Sequence, residues 1–327
     1  MLSLIKYLRI LVGLFPFAVL CSCDDHGDFV NASFPGRQAF DDGRELFFLK
    51  HGREVTFISW APDGRRFAFS DQIPGGDDPR VWAHDIASNR DVLLAFNAHW
   101  PRWSPRGDLI LYQDINGPIY TVRPDGTGRT KILNSSYPDV KCEPCWSPDG
   151  NKVAVSAIMG PGYASSDIYT FDLSSQYFTR ISYDDLGTEY GPLWGPDGEW
   201  IAFWKRDRLF EIKPGHRTPL SLADAAGKGI EVIWKDDDVQ GALCQWICDW
   251  SPDGRYVLMA VVDNTASFWD LWALDVRNKA FTQVTSSPDP FFFDWDGTWG
   301  PDGKVYFVVK DTRNNSYSGI WRVDPNL

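Results

Sequence analysis

Four cysteines in two close pairs are the residues of this chain best equipped for chemistry: Cys142 and Cys145 in CEPC, and Cys244 and Cys248 in CQWIC. In an oxidising compartment such short spacings favour two local disulfides that stiffen the segments carrying them. The same four thiols could instead bind zinc as a C-x2-C plus C-x3-C set. A redox role of the thioredoxin kind would need the C-x2-C to open a helix, and no helical pattern follows it. Acids and aromatics gather at matching places. His99, Trp100, Glu143, Glu189, Tyr190, Trp246, Asp294 and Trp295 each stand three to five residues ahead of a W-x-P-x-G pentapeptide. Aromatics give contact area at low entropy cost and carboxylates give directional bonds, so the set suits gripping a peptide or a glycan. Any one of these side chains is equally explained by packing under a neighbouring loop; the set is the signal.

Recognised catalytic patterns are missing. The sequence holds no G-x-S-x-G elbow, no H-E-x-x-H and no P-loop, and its five histidines include only His99 near the candidate set. The acidic runs Asp236–Asp238 and Gly75–Asp78 read as solvated loops, so no metal, cofactor or catalytic residue is assigned. A formal charge of −12 disfavours a nucleic-acid partner, which would call for clustered basic groups.

The elements that position these residues come from a repeat. W-x-P-x-G occurs at Trp60, Trp103, Trp146, Trp194, Trp250 and Trp299, at intervals of 43, 43, 48, 56 and 49 residues. Units of this size that recur along a chain cannot bury an apolar face alone and must stack on their neighbours. Each turn is followed by a short apolar run (RRFAFS, DLILYQ, NKVAVS, EWIAFW, RYVLMA, KVYFVV), which reads as a strand. A third element recurs as RVWAHD, PIYTVR, DIYTFD, RLFEIK, DLWALD and GIWRVD, and DVLLAF, TKILN, FTRIS and FTQVTS supply fourth strands. Four antiparallel strands per unit make an all-β, six-bladed β-propeller. The sixth unit lacks its fourth strand, and Glu45–Lys50 (ELFFLK) is the candidate that closes the ring and covers both edges. Residues 224–240 are either a blade strand or an added hairpin.

The W-S-P-D-G hairpin followed by an I-Y-x-x-D strand resembles the repeat of TolB-like six-bladed β-propellers, over about residues 45–327. That resemblance implies a non-catalytic module that binds a protein or peptide in the cell envelope, here as a monomer. The alternative is a glycan-binding protein or polysaccharide-degrading enzyme that uses the same aromatics and acids. The motif residues have structural reasons of their own, since Pro presets φ, Asp accepts backbone hydrogen bonds and Gly takes φ > 0. With these turns on one face, the variable loops and the candidate set belong to the other.

The N-terminus carries a separate message. Lys6 and Arg9 precede an apolar run from Ile10 to Leu20, too short to span a bilayer and suited to a signal peptide. Leu20-Cys21-Ser22-Cys23 fits a bacterial lipobox with Cys23 as the lipidated residue and Cys21 as second choice; an ordinary cleaved signal is the other reading. Acyl chains contribute about 0.8 kcal/mol per buried CH2, so several of them anchor a protein permanently. The expected organisation is a signal peptide at 1–22, a polar tether at 23–44 and the propeller at 45–327, held at a membrane facing the periplasm or the exterior. Cleavage would remove Lys6 and Arg9 and move the charge from −12 to −14.

Overall fold

The computed structural model describes residues 43–50, 52–73, 76, 78–133, 139–158, 166–182, 187–207, 220–224, 230–234, 242–263, 269–287, 292–311 and 318–327. The expected signal peptide, Cys21, Cys23 and nearly all of the tether lie outside them. Every regular element among the described residues is a strand, and no helix there is long and apolar enough to cross a membrane.

Each W-x-P-x-G begins its sheet by a mechanism visible in the backbone. The glycine N–H donates to the carbonyl three residues earlier, as in Gly64 to Ala61 at 3.0 Å and Gly150 to Ser147 at 2.8 Å. Proline and aspartate fill the turn, and the glycine that follows takes positive φ, 66° at both Gly64 and Gly150. This is a type I turn ending in a left-handed residue, the loop that returns a hairpin with a bulge. The aspartate Oδ1 accepts the N–H two residues on, as in Asp149 from Asn151 at 3.0 Å. Arg106 replaces that aspartate in the second motif and reaches the neighbouring turn instead, donating to the Asp149 carbonyl at 3.0 Å.

Four meanders of four antiparallel strands follow. They comprise Glu54–Trp60, Arg66–Gln72, Arg80–Asp85 and Arg90–Phe96; Ala98–Trp103, Ile110–Asp114, Ile119–Val122 and Thr130–Leu133; Asp139–Trp146, Lys152–Ile158, Asp167–Asp172 and Phe178–Arg180; and Gly187–Trp194, Trp200–Asp207, Leu220–Asp224 and Ile230–Trp234. The remaining strands form one eight-stranded sheet. It joins Ala242–Trp250, Tyr256–Asp263, Trp269–Asp275 and Phe281–Gln283 to Phe292–Trp299, Val305–Asp311 and Ser318–Val323 through a single parallel pairing of Trp269 with Phe293. Glu45–Leu49 pairs antiparallel with Ser318–Val323, from Glu45 opposite Arg322 to Leu49 opposite Gly319. In the fourth meander the third strand is Leu220–Asp224; residues 208–213, expected there, lie outside the described residues. Ile230–Trp234 pairs with it, so that part of residues 224–240 is a sheet strand.

The second strand of each meander is buried on both faces, as Phe67–Phe69 and Val153–Val155 illustrate, because another sheet packs on either side. Shared apolar cores therefore run from sheet to sheet. Ala68 and Val81 pack with Ile110 and Tyr112, Leu111 with Val153 and Tyr169, Ile168 with Phe203 and Val257, and Leu258 with Phe307. Phe67 and Phe69 of the first meander pack with Tyr306, Val308 and Ile320 of the last. Burying a side chain of this size contributes about 1.5–3 kcal/mol, and that stacking is what each meander lacks alone.

Polar latches at the ends of the lead strands, those that finish in a motif tryptophan, add direction to the stacking. The residue just before one tryptophan accepts the backbone N–H of the next tryptophan along: Ser59 Oγ from Trp103 at 3.0 Å, Cys145 Sγ from Trp194 at 3.4 Å, and Asp249 Oδ2 from Trp299 at 3.1 Å. Two indoles donate in the same direction, Trp146 Nε1 to the Arg102 carbonyl and Trp250 Nε1 to the Leu193 carbonyl, both at 3.1 Å.

Candidate binding site along the lead strands

The six turns converge. Trp60, Trp103, Trp146, Trp194, Trp250 and Trp299, with their prolines, line one cavity of about 470 Å³, together with the residues just before each tryptophan: Ser59, Arg102, Cys145, Leu193, Asp249 and Thr298. The sequence points to a site only at the other face, and not at this cavity.

Farther back along the same strands, the backbone departs from a regular ladder. Register shifts interrupt the pairing at His99/Arg102, Cys142/Cys145, Tyr190/Leu193 and Trp295/Thr298. Inside these four bulges, three residues before the motif tryptophan, φ is positive: 52° at Trp100, 30° at Glu143, 62° at Gly191 and 44° at Asp296. A bulge re-aims the side chain it carries, and a left-handed non-glycine residue persists only where surrounding structure holds it.

The acids are buried and their charges disfavoured. Burial pushes the Glu143 carboxyl well above its usual range, aided by Asp296 and opposed by Arg102. Burial likewise carries Asp296 up to about 8, against the pull of Arg102 and a bond from Trp295. Asp249 is raised as well, although Trp250 N–H at 2.9 Å, Thr298 Oγ1 at 2.7 Å and Trp299 N–H all donate to it. Glu143 Oε1 is buried with no hydrogen-bond partner. The Arg102 guanidinium that faces these acids lies 4.6 Å over the Phe57 ring.

Asp294 has a different environment. Arg44 grips it with two parallel bonds, Nη1 to Oδ1 at 2.7 Å and Nη2 to Oδ2 at 2.9 Å, and both side chains are wholly buried. Burial and the nearby Asp294 together lift Asp270 to about 7, despite donors from the Ser287 N–H at 2.9 Å and Gln283 Nε2 at 3.0 Å. Asp294 is thus committed to an ion pair whose partner is distant in sequence.

Of the aromatics, Trp246 and Trp295 come together, stacked with centroids 6.2 Å apart and planes at 25°. Trp269, 5.2 Å from Trp295, and Phe293, 5.4 Å from Trp269, extend the cluster, and all four rings are partly exposed. His99 lies 5.4 Å from Trp100, and burial lowers its pKa. Tyr190 packs on the core shared by the third, fourth and fifth lead strands. Glu189 is fully buried, and its backbone carbonyl accepts Ser156 Oγ at 2.6 Å and Ser166 Oγ at 2.7 Å. The candidates therefore separate into a tryptophan cluster, a buried Glu143–Asp296 pair facing Arg102, and side chains absorbed by packing. Arg44, Arg102, Asp249, Trp269 and Asp296 are the neighbours that sequence reasoning did not single out.

The expected disulfides are corrected at two of the four cysteines: Cys145 and Cys248 are buried free thiols. Each sits in a lead strand with its sulfur committed to an apolar core, and burial raises both thiol pKa values. The Cys142 and Cys244 side chains lie outside the described residues. Among the described residues no group of three or more His, Cys, Asp or Glu side chains is arranged to hold a metal ion.

No protein-family profile matches the chain. It is 24% identical over 252 residues to Dipeptidyl-peptidase 5 of Porphyromonas gingivalis, covering 71% of this chain and 34% of that protein. It is 30% identical over 141 residues to Protein TolB homolog of Chlorobium luteolum, covering 41% of this chain and 30% of that protein. The chain spans about a third of the length of these two relatives. Among solved structures, TolB from Acinetobacter baumannii superposes with a TM-score of 0.54 at 16% identity, over 83% of this chain and 63% of that one. An oligogalacturonate lyase from Vibrio parahaemolyticus gives a TM-score of 0.55 at 12% identity, over 85% and 90%. At these identities the likeness is one of architecture. The fold is all-β and that of a TolB-like β-propeller.

Proposed function

We propose that this chain is a closed six-bladed propeller, anchored by lipid at Cys23, that binds a protein or peptide partner in the cell envelope without catalysis. Splitting the eight-stranded sheet at its single parallel pairing supports six blades, and the pairing of Glu45–Leu49 with Ser318–Val323 supports closure by the N-terminal strand. So does the first turn, where a Cβ on Gly64 would stand 2.9 Å from the Pro301 ring of the last.

The observation that carries the binding reading is the partly exposed cluster of Trp246, Trp269, Trp295 and Phe293. Tryptophan is enriched among the few residues that carry most of the binding energy at protein interfaces. Two buried carboxyls of the lead strands are already engaged, which favours recognition over acid–base turnover: Arg44 holds Asp294, and the Asp249 oxygens are spent on the neighbouring lead strand. Lipid attachment rests on the lipobox alone.

The test is a comparison of two ligand classes on the full chain. Wild type retains an envelope protein in a pull-down, and Trp246→Ala with Trp295→Ala releases it while thermal unfolding stays cooperative. A shift of tryptophan fluorescence with neutral or acidic oligosaccharides, without any retained protein, would replace this reading by glycan binding. Turnover of a polymer, lost with Glu143→Gln, would make the chain an enzyme.

A further inference from the structure

At the turn end of the lead strands, away from the tryptophan cluster, the cavity enclosed by the six motifs has its own chemistry. Its walls are the motif tryptophans and prolines, and most of its polar groups are already engaged. Ser104 Oγ donates to Asp108 at 2.7 Å, and Ser147 and Ser251 donate to Asp149 and Asp253, each at 2.6 Å. Ser59 and Asp249 are used as latches between lead strands.

The unpartnered groups are donors: the indole N–H groups of Trp60, Trp103 and Trp299, and Arg102. Arg102 lines the cavity, its Nε is buried with no hydrogen-bond partner, and among the described residues it forms no ion pair. Its guanidinium carbon lies 4.6 Å over the Phe57 ring. The three carboxyls facing it, Glu143, Asp249 and Asp296, are pushed by burial toward their neutral forms. A planar cation in an apolar, aromatic-walled cavity is complementary to one carboxylate on an otherwise apolar body. The free groups of the walls are donors, which suits the acceptor oxygens of a chain terminus that also carries apolar side chains.

We propose that this cavity binds the C-terminal carboxylate of an apolar peptide, with Arg102 making the paired hydrogen bonds and the tryptophan and proline walls taking the last side chains. The site is independent of the tryptophan cluster and of the partner assigned to it. A volume of about 470 Å³ falls within the range that holds a small ligand.

Calorimetric titration of the full chain tests this with acetyl-Pro-Leu-Phe as the free acid, the same peptide as its C-terminal amide, and laurate. The acid binds at least about tenfold more tightly than the amide, the ratio expected for one charge-assisted pair of bonds. Arg102→Gln abolishes the preference, while Arg102→Lys retains part of it. The comparison of acid with amide on wild type needs no variant to fold. Equal binding of acid and amide, a tenfold preference that survives in Arg102→Gln, or no binding of either peptide near about 1 mM would each overturn the proposal. Binding of laurate without the peptide acid would overturn the assignment to a chain terminus.

Discussion

Replacing Asp296 by Asn should stabilise the protein at alkaline pH, and the reason lies in the geometry around one carboxyl. Asp296 is buried in a bulge at φ 44°, and burial lifts its pKa from 3.8 to about 8. The folded-state value lies above the unfolded one. Its contribution is therefore fully present below about pH 4, declines as the pH rises, and is lost above about 8. A shift of this size corresponds to about 6 kcal/mol at most. Relaxation around the buried carboxylate lowers that ceiling, and about 2–3 kcal/mol is the expected loss. Asparagine has nearly the same shape, cannot ionise, and is among the residues best suited to the left-handed region. Asp270, lifted to about 7, contributes in the same direction and stays in the variant. Urea unfolding of wild type and variant at pH 4 and 8.5 measures the effect. Asp296→Asn should exceed wild type by about 2–3 kcal/mol at 8.5 while differing little from it at pH 4. The same difference between variant and wild type at both pH values, or a variant weaker than wild type at 8.5, would refute the reasoning.

Four further outcomes follow from the contacts described. Asp249→Ala removes the acceptor of the Trp250 and Trp299 N–H groups and of Thr298 Oγ1, and should cost about 2–3 kcal/mol in urea unfolding; a loss below about 0.5 would show that these bonds do not hold neighbouring lead strands together. Arg44→Ala removes both bonds to the buried Asp294 carboxylate and should cost about 3–5 kcal/mol, read as a large fall in melting temperature. Iodoacetamide under non-reducing conditions should leave Cys145 and Cys248 unlabelled in the native protein and label both after unfolding in guanidinium; labelling of neither after unfolding would mean they are oxidised. Deleting residues 40–50 should abolish cooperative unfolding, since it removes the strand paired with Ser318–Val323; a deletion that melts like the full chain would contradict closure.

The repeat made the architecture legible because each W-x-P-x-G encodes its own local hydrogen bonds: proline, glycine and, in all but the second motif, aspartate act within six residues of one another. The fourth unit was less legible. RLFEIK and LSLAD are both short apolar runs, and alternation alone does not choose between them as the third strand. The candidate site was only partly readable for a related reason. Of the four left-handed positions, Gly191 alone has a residue type that signals one, whereas Trp100, Glu143 and Asp296 look like ordinary strand residues. Arg44 meets Asp294 across 250 positions, a pairing that no local pattern records. The latches at Ser59, Cys145 and Asp249 share a position, directly before the motif tryptophan, but not a residue type. Comparing that position across the six repeats was the signal available in the sequence for the cavity and for Arg102.

Photo-crosslinking in intact envelopes tests the central claim most directly. With p-benzoylphenylalanine in place of Trp295, inside the tryptophan cluster, the account predicts capture of one discrete envelope protein. The same group in place of Tyr177, 70% exposed and remote from that cluster in the sequence pattern, should capture none. No adduct at position 295, or the same adducts at both positions, would contradict partner binding through these aromatics.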